Sequence, residues 1–334
     1  MSKKYNVYGI GNALVDMEFE VTDAFLEKHD VEKSVMTLVD EEAQSQLIRD
    51  ISRAETIEKP GGSAANTIYA VSQFGGKAFY SCKVANDPFG EKYLEEMKEA
   101  GIDTNFDRQE PEDGITGKCL VMITEDAERT MNTFLGITST LSVNEIDELA
   151  IRDSEYVYIE GYLVASDPGY EAMKETKRIA ADHEVKTALT LSDPSIVKGF
   201  RERFDDVIGA SVDLLFCNEK EAMIYTGKDN LADARELLKK EAERFVITQG
   251  KNGAMIWDGD TFIDIEPYSV KAVDTNGAGD MYAGAFLYGI TNSLGYAGAG
   301  KLASLAGSKI VSQFGPRLKW HEVQELLHEA TSDH

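Results

Sequence analysis

The heptapeptide Asp274-Thr275-Asn276-Gly277-Ala278-Gly279-Asp280 is the stretch of this chain with the clearest capacity for chemistry. Ten small and apolar residues, MYAGAFLYGI, follow it and predict a helix that begins at Gly277–Asp280. The free N–H groups and positive dipole end of such a helix favour an anion. Gly277 and Gly279 allow the backbone to approach a phosphate closely, with no side chain in the way. Asp280, a carboxylate beside that cradle, is placed to accept a proton from an attacking hydroxyl. Taken alone, it could equally be a plain N-cap contributing about 1 kcal/mol.

Other chemistries find little support. Gly9-Ile-Gly11-Asn-Ala-Leu14 begins like a dinucleotide fingerprint, but Leu14 stands where close helix packing needs glycine or alanine. Gly295-Tyr-Ala-Gly-Ala-Gly300-Lys301 lacks the Ser or Thr of a P-loop at Leu302 and reads as a turn between helices. Cys82, Cys119 and Cys217 are scattered and form no C-x-x-C pair, which predicts buried apolar thiols. The five histidines show no H-E-x-x-H spacing. A net charge of −25, from 34 basic and 59 acidic residues, repels nucleic acid. No apolar run reaches the ~18 residues of a membrane helix. Asp16 interrupts the N-terminal region too early for a signal-peptide core, so a cytoplasmic location is expected. Residues 91–113 hold nine acids and read as a solvated helix and loop. Residues 267–317 hold only Asp274 and Asp280, against Lys271, Lys301, Lys309 and Arg317, and are the least repulsive place for an anion.

The elements that must carry these residues follow from periodicity. Tyr5–Gly11, Tyr156–Gly161, Lys186–Leu191, Asp213–Asn218 and Arg244–Gln249 are short runs rich in β-branched and aromatic residues. Longer helical patterns, such as Tyr170–His183 and Leu231–Glu243, lie between several of them. That alternation predicts a mostly parallel sheet with helices on both faces. Two excursions, residues 12–52 and 114–136, contain alternating runs such as VDMEFEV and KCLVMIT, and predict an antiparallel lid, polar on one side. The remaining segments, 1–11, 53–113 and 137–334, then form the α/β core.

The heptapeptide resembles the C-terminal signature D-T-x-G-A-G-D of the ribokinase-like (PfkB) carbohydrate and nucleoside kinases and matches every fixed position. Gly61-Gly62-Ser63-Ala64-Ala65-Asn66 is similar to the family's N-terminal signature, Asn218-Glu219-Lys220-Glu221 to its N-x-x-E motif, and Val246–Gly253 to its nucleotide-side loop. The motifs occur in order over about residues 5–315. The resemblance implies a three-layer α/β/α fold with a small β lid, and an ATP-dependent phosphotransferase. In that reading Asp280 is the general base, and the N–H groups of Gly277, Ala278 and Gly279 hold charge on the moving phosphoryl group. Asn218 and Glu221 organise Mg²⁺; Glu221 taken alone would be an exposed acid in a first helical turn. Thr248, Gly250, Gly253 and Thr275 line the nucleotide site. Asp16, Gly61, Gly62, Ser63 and Asn66 grip sugar hydroxyls. Asn66 could otherwise bond its own helix backbone, and Asp16 could simply guard a strand edge.

Gly11-Asn12-Ala-Leu-Val-Asp16 is similar to the G-N-x-x-x-D opening of the adenosine kinases within this family, which adds Asn12 to the acceptor contacts. Arg129-Thr-Met-Asn-Thr-Phe134-Leu135 is similar to their lid segment, which implies an arginine directed at the phosphate path. An exposed arginine balancing Glu125, Asp126 and Glu128 is the alternative. Met36, Met131 and Phe134 are candidates for a base pocket. The resemblance also implies a monovalent cation such as K⁺ near Thr275 and residues 308–315. It leaves the acceptor open among adenosine, inosine, guanosine and a simple sugar, and the assembly open between monomer and homodimer.

Overall fold

The computed structural model describes residues 3–51, 57–126 and 128–332. Its main sheet has nine strands in the spatial order Phe262–Ile265, Ala254–Trp257, Phe245–Thr248, Leu214–Asn218, Lys186–Thr190, Ser154–Ile159, Tyr5–Ile10, Ala78–Ser81 and Asp103–Thr104. Every pairing from Phe245–Thr248 to Asp103–Thr104 is parallel, and only the two pairings at the Phe262 edge are antiparallel. Consecutive residues of these strands face opposite ways. Val7, Tyr158, Phe216 and Val246 enter one core, with Ile68, Phe286 and Leu302. Tyr8, Ile159, Cys217 and Ile247 enter the other, with Met173 and Phe204. Both faces are therefore covered, as near-continuous hydrophobic strands require. All three cysteines are free and buried.

The helices end where their local chemistry ends them. Asp167–Asp182 starts three residues earlier than its apolar period suggests, because Ser166 caps the N–H of Gly169 and Pro168 occupies the first turn. The expected helix over Leu231–Glu243 stops at Leu238, and Ala242 bridges to Val212 instead. Gly295–Leu302 is not a turn but the start of helix Gly295–Val311. Its Gly300 lies so close to Ile256 and Ile265 that a Cβ would fall 2.6 Å from the Ile256 side chain.

The lid sheet runs in the order Met36–Leu38, Arg129–Phe134, Gly117–Ile123, Leu14–Glu20 and Ile57–Gly61. It is mixed rather than antiparallel. Leu14–Glu20 and Gly117–Ile123 pair in parallel, as do Met36–Leu38 and Arg129–Phe134. The reason is topological: each excursion leaves the core along one of the first pair and continues into one of the second. The lid sheet's cavity side is mixed rather than polar, with Leu14, Val121 and Met131 beside Asp16 and Thr133, and its other side is apolar. Met17, Phe19, Leu120 and Met122 pack under helices Asp23–Lys28 and Glu41–Ile51 through Leu26 and Leu47. The expected lid–core boundary at residues 52/53 lies outside the described residues. Ile57–Gly61, which that boundary places in the core, is an edge strand of the lid because it pairs with Leu14–Glu18.

Candidate active site

The order of the main sheet reverses between Ser154–Ile159 and Tyr5–Ile10, and ligands of open α/β sheets bind at the carboxyl ends of strands on either side of such a point. Here those ends are joined by a buried network. Glu160, just past its strand, accepts from Asn12 N at 3.1 Å, Asn12 Nδ2 at 2.8 Å and Ala64 N at 2.8 Å. The last bond caps helix Ser63–Gln73, whose preceding residue Gly62 has φ +100°. Burial pushes the Glu160 carboxyl up to about 7, against the pull of its three donors.

A cavity of about 310 Å³ lies between these strand ends and the lid. Helix Ala278–Thr291 points its N-terminus into it, with Gly277 at φ +69°. Gly277 packs against Pro316, where a Cβ would come within 2.6 Å, whereas a Cβ on Gly279 would meet nothing within 4 Å. Among the described residues no side chain is hydrogen-bonded to the first N–H groups of this helix. The Asp280 carboxylate accepts from Ser63 Oγ at 2.7 Å and from Asn66 Nδ2 at 3.3 Å. Burial pushes it up to about 6. Asp16 enters from the lid, and burial pushes it up to about 7, with Asp280 and Glu18 adding to the shift and Arg317 opposing it. Gly61 is required beside Asp16 because any Cβ there would overlap the carboxyl group.

Asn218 and Glu221 close a reciprocal capping box at the head of helix Glu219–Thr226. Glu221 N donates to Asn218 Oδ1 at 2.9 Å, while Asn218 N and Nδ2 donate to the two oxygens of Glu221 at 2.9 and 2.6 Å. Glu221 is not an exposed first-turn acid: it is 5% exposed, and burial pushes it up to about 7. Among the described residues no cluster of three or more His, Cys, Asp or Glu could hold a metal. One buried carboxylate fits Mg²⁺ all the same, because that ion keeps most of its waters and shares phosphate oxygens.

Asn12, Asp16, Gly62, Ser63, Asn66, Asn218, Glu221, Thr248, Thr275 and Gly277–Asp280 all line the cavity. Gly61, Arg129, Gly250 and Gly253 do not. Gly250 and Gly253 make the turn between Phe245–Thr248 and Ala254–Trp257, at φ +54° and +89°. Arg129 follows neither sequence reading: it is buried, paired with Asp274 and 3.9 Å from Glu18. Asp274 in turn accepts from Asn276 N and Gly315 N, each at 2.8 Å. Met36 and Met131 join Leu14, Leu38, Val121 and Leu135 in an apolar lid wall, and Phe134 lies outside it. Sequence reasoning missed Glu160, Tyr162, Ser192 and Arg317. Only Glu160 left a signal, as an acid directly after the apolar run Tyr156–Ile159.

The model of the pfkB family carbohydrate kinases matches residues 35–322. The adenosine kinase of Saccharomyces cerevisiae is 27% identical over 303 residues, covering 84% of this chain and 87% of its own. Two solved structures superpose over 97% of this chain and 99% of theirs: adenosine kinase from Sinorhizobium meliloti (TM-score 0.90, 32% identity) and a probable sugar kinase from Rhizobium etli (TM-score 0.91, 31% identity). An open helix N-terminus facing a carboxylate under a β lid, with a family match over most of the sequence, places the chain in the pfkB family of carbohydrate kinases, phosphotransferases that act on a hydroxyl.

Proposed function

We propose that the protein transfers the γ-phosphoryl group of ATP to the 5′-hydroxyl of a purine nucleoside, adenosine foremost. The observation that carries this reading is the lid wall of Leu14, Met36, Leu38, Val121, Met131 and Leu135, which adjoins Asp16 and Asn66 in one cavity. Hydroxyls can be met by the carboxylate and the amide, and a flat apolar base by the wall. A free sugar, polar over its whole surface, would leave that wall without a matching surface. The likeness to the yeast and Sinorhizobium adenosine kinases supports the same acceptor.

In this reading the acceptor hydroxyl lies against Asp280, which takes its proton as the oxygen attacks phosphorus. The carboxylate is held for that task by Ser63 and Asn66. The N–H groups of Gly277, Ala278 and Gly279 stabilise charge spreading over the phosphoryl oxygens. Mg²⁺, when bound, neutralises phosphate charge, and Glu221 with Asn218 would hold it. Thr248 and Thr275 face the nucleotide side. Lid closure excludes water, the competing acceptor.

The test is transfer of radioactive γ-phosphate from ATP to a panel of adenosine, inosine, guanosine, ribose and fructose. Adenosine should be the best substrate, with the label on its 5′ oxygen. Transfer to a free sugar in preference to every nucleoside would replace this reading with that of a sugar kinase. No transfer to any acceptor would leave a nucleoside sensor.

A further inference from the structure

We infer that Arg317 is a positioning residue: it fixes the side-chain amide of Asn66 so that its NH₂ group, rather than its carbonyl, faces Asp280. The inference rests on the reading of Asp280 as the base.

Arg317 Nε donates to Asn66 Oδ1 at 3.2 Å. A guanidinium has donors only, so Asn66 must present its oxygen on that side. Its Nδ2 is thereby turned to Asp280 Oδ2, 3.3 Å away. Were the amide reversed, its carbonyl would face a carboxylate and its NH₂ a cation, both repulsive. The guanidinium is itself held. It stacks on the Tyr69 ring at 4.1 Å, and Nη1 lies 3.6 Å from Glu96. The loop that carries it is pinned on both sides: Gly315 N bonds Asp274 and Pro316 packs on Gly277 before it, and Gln73 Nε2 donates to Leu318 O after it at 2.6 Å.

Charge makes a second contribution. No lysine or arginine is among the cavity-lining residues described. Around Asp280 stand Asp16, Glu160, Tyr158 and Tyr162, and the cation that acts on it is Arg317. Glu96 neutralises Arg317 only in part, since Nη2 is buried without an acceptor among the described residues. Its field therefore favours the ionised form of Asp280 that a base requires.

The experiment compares Arg317→Met and Arg317→Lys with the parent, each with and without Asn66→Ala. It uses the acceptor found in the panel, and thermal melting monitors folding. Arg317→Met should lower kcat about 10–100-fold with KM for ATP unchanged, and should cause no further fall once Asn66 is alanine. In a ¹³C carboxyl NMR titration, Asp280 should move up by about half a pH unit in Arg317→Met. Arg317→Lys should keep the parent titration yet recover only part of kcat, and it serves in full if the methionine variant fails to fold. An unchanged kcat in an active enzyme overturns the inference. So does an equal loss in the Asn66→Ala background, or an unmoved Asp280 titration in Arg317→Met. An inactive parent would sink the proposed function instead, while the titration still decides the role of Arg317.

Discussion

Two of the helices that meet the cavity with their N-termini, Ser63–Gln73 and Ala278–Thr291, are entered through a glycine of positive φ. At Ser63–Gln73 the protein fills the terminus itself: the buried carboxylate of Glu160 bonds the N–H of Ala64. At Ala278–Thr291 no side chain among the described residues answers, and a Cβ on Gly279 would meet nothing within 4 Å. The first helix is locked to the sheet, whereas the second keeps its partial positive charge for a ligand. One element of backbone physics thus serves as a structural fastener at one side of the cavity and, in the proposed function, as an anion site at the other.

The strongest way to break this contrast is Asp280→Asn. It should retain nucleoside binding by calorimetry but lose on the order of 10²–10⁴-fold in kcat, because the base and not the cradle is removed. A near-parental turnover would refute the role. Next come the two glycines of the open terminus. Gly279→Ala should leave the melting temperature unchanged or slightly raised, since its methyl meets no atom, yet cut kcat/KM for ATP about 10²-fold by displacing the phosphate. Gly277→Ala should do the reverse to the fold, costing about 1–3 kcal/mol through its positive φ and the contact with Pro316. Equal effects of the two on stability would erase the distinction. Glu221→Gln should raise the Mg²⁺ concentration for half-maximal rate about tenfold, measured by metal titration at saturating substrates.

The smallest effect is thermodynamic. Asp16, Glu160 and Glu221 are each pushed up to about 7 by burial, from ordinary values near 4. Between those limits the folded protein holds protons that the unfolded chain has released. Stability must therefore fall as pH rises from about 4 to 7. The ligand-free protein should melt at a higher temperature at pH 5.5 than at pH 8. A melting temperature that rises across the same range would contradict the assignment of these groups as buried carboxyls whose desolvation outweighs their hydrogen bonds.

The two helix ends also divide what the sequence discloses. Gly277–Asp280 was legible because an open N-terminus is a local property, written in seven consecutive residues and the helix behind them. The fold class was legible for a similar reason, since strand and helix periods are local. Glu160 was not, because its role depends on strands some 150 residues apart in sequence lying side by side. Glu221 was read as exposed when its environment was judged from its own turn alone, although burial is decided by elements elsewhere in the chain. Arg129 followed neither expectation for the same reason: its partner, Asp274, lies across the lid–core junction. The lid's pairing pattern was misjudged because alternation reports which residues face a core and is silent on strand direction.

The mixed lid sheet bears on the order of assembly. Leu14 pairs with Gly117, and the chain between them contributes helices Ser63–Gln73 and Pro88–Glu99 and two strands to the main sheet and its core. Closing so long a loop is entropically costly until that intervening structure has formed. Refolding should therefore form the locally connected strands from Ser154–Ile159 to Phe262–Ile265 first and knit the five-stranded sheet afterwards. Pulse-labelled hydrogen exchange should find amides of Val157 and Leu215 protected before those of Leu120 and Val121, and simultaneous protection would disprove the sequence of events. A protein made this way gains its catalytic cover only after most of the platform beneath it is in place.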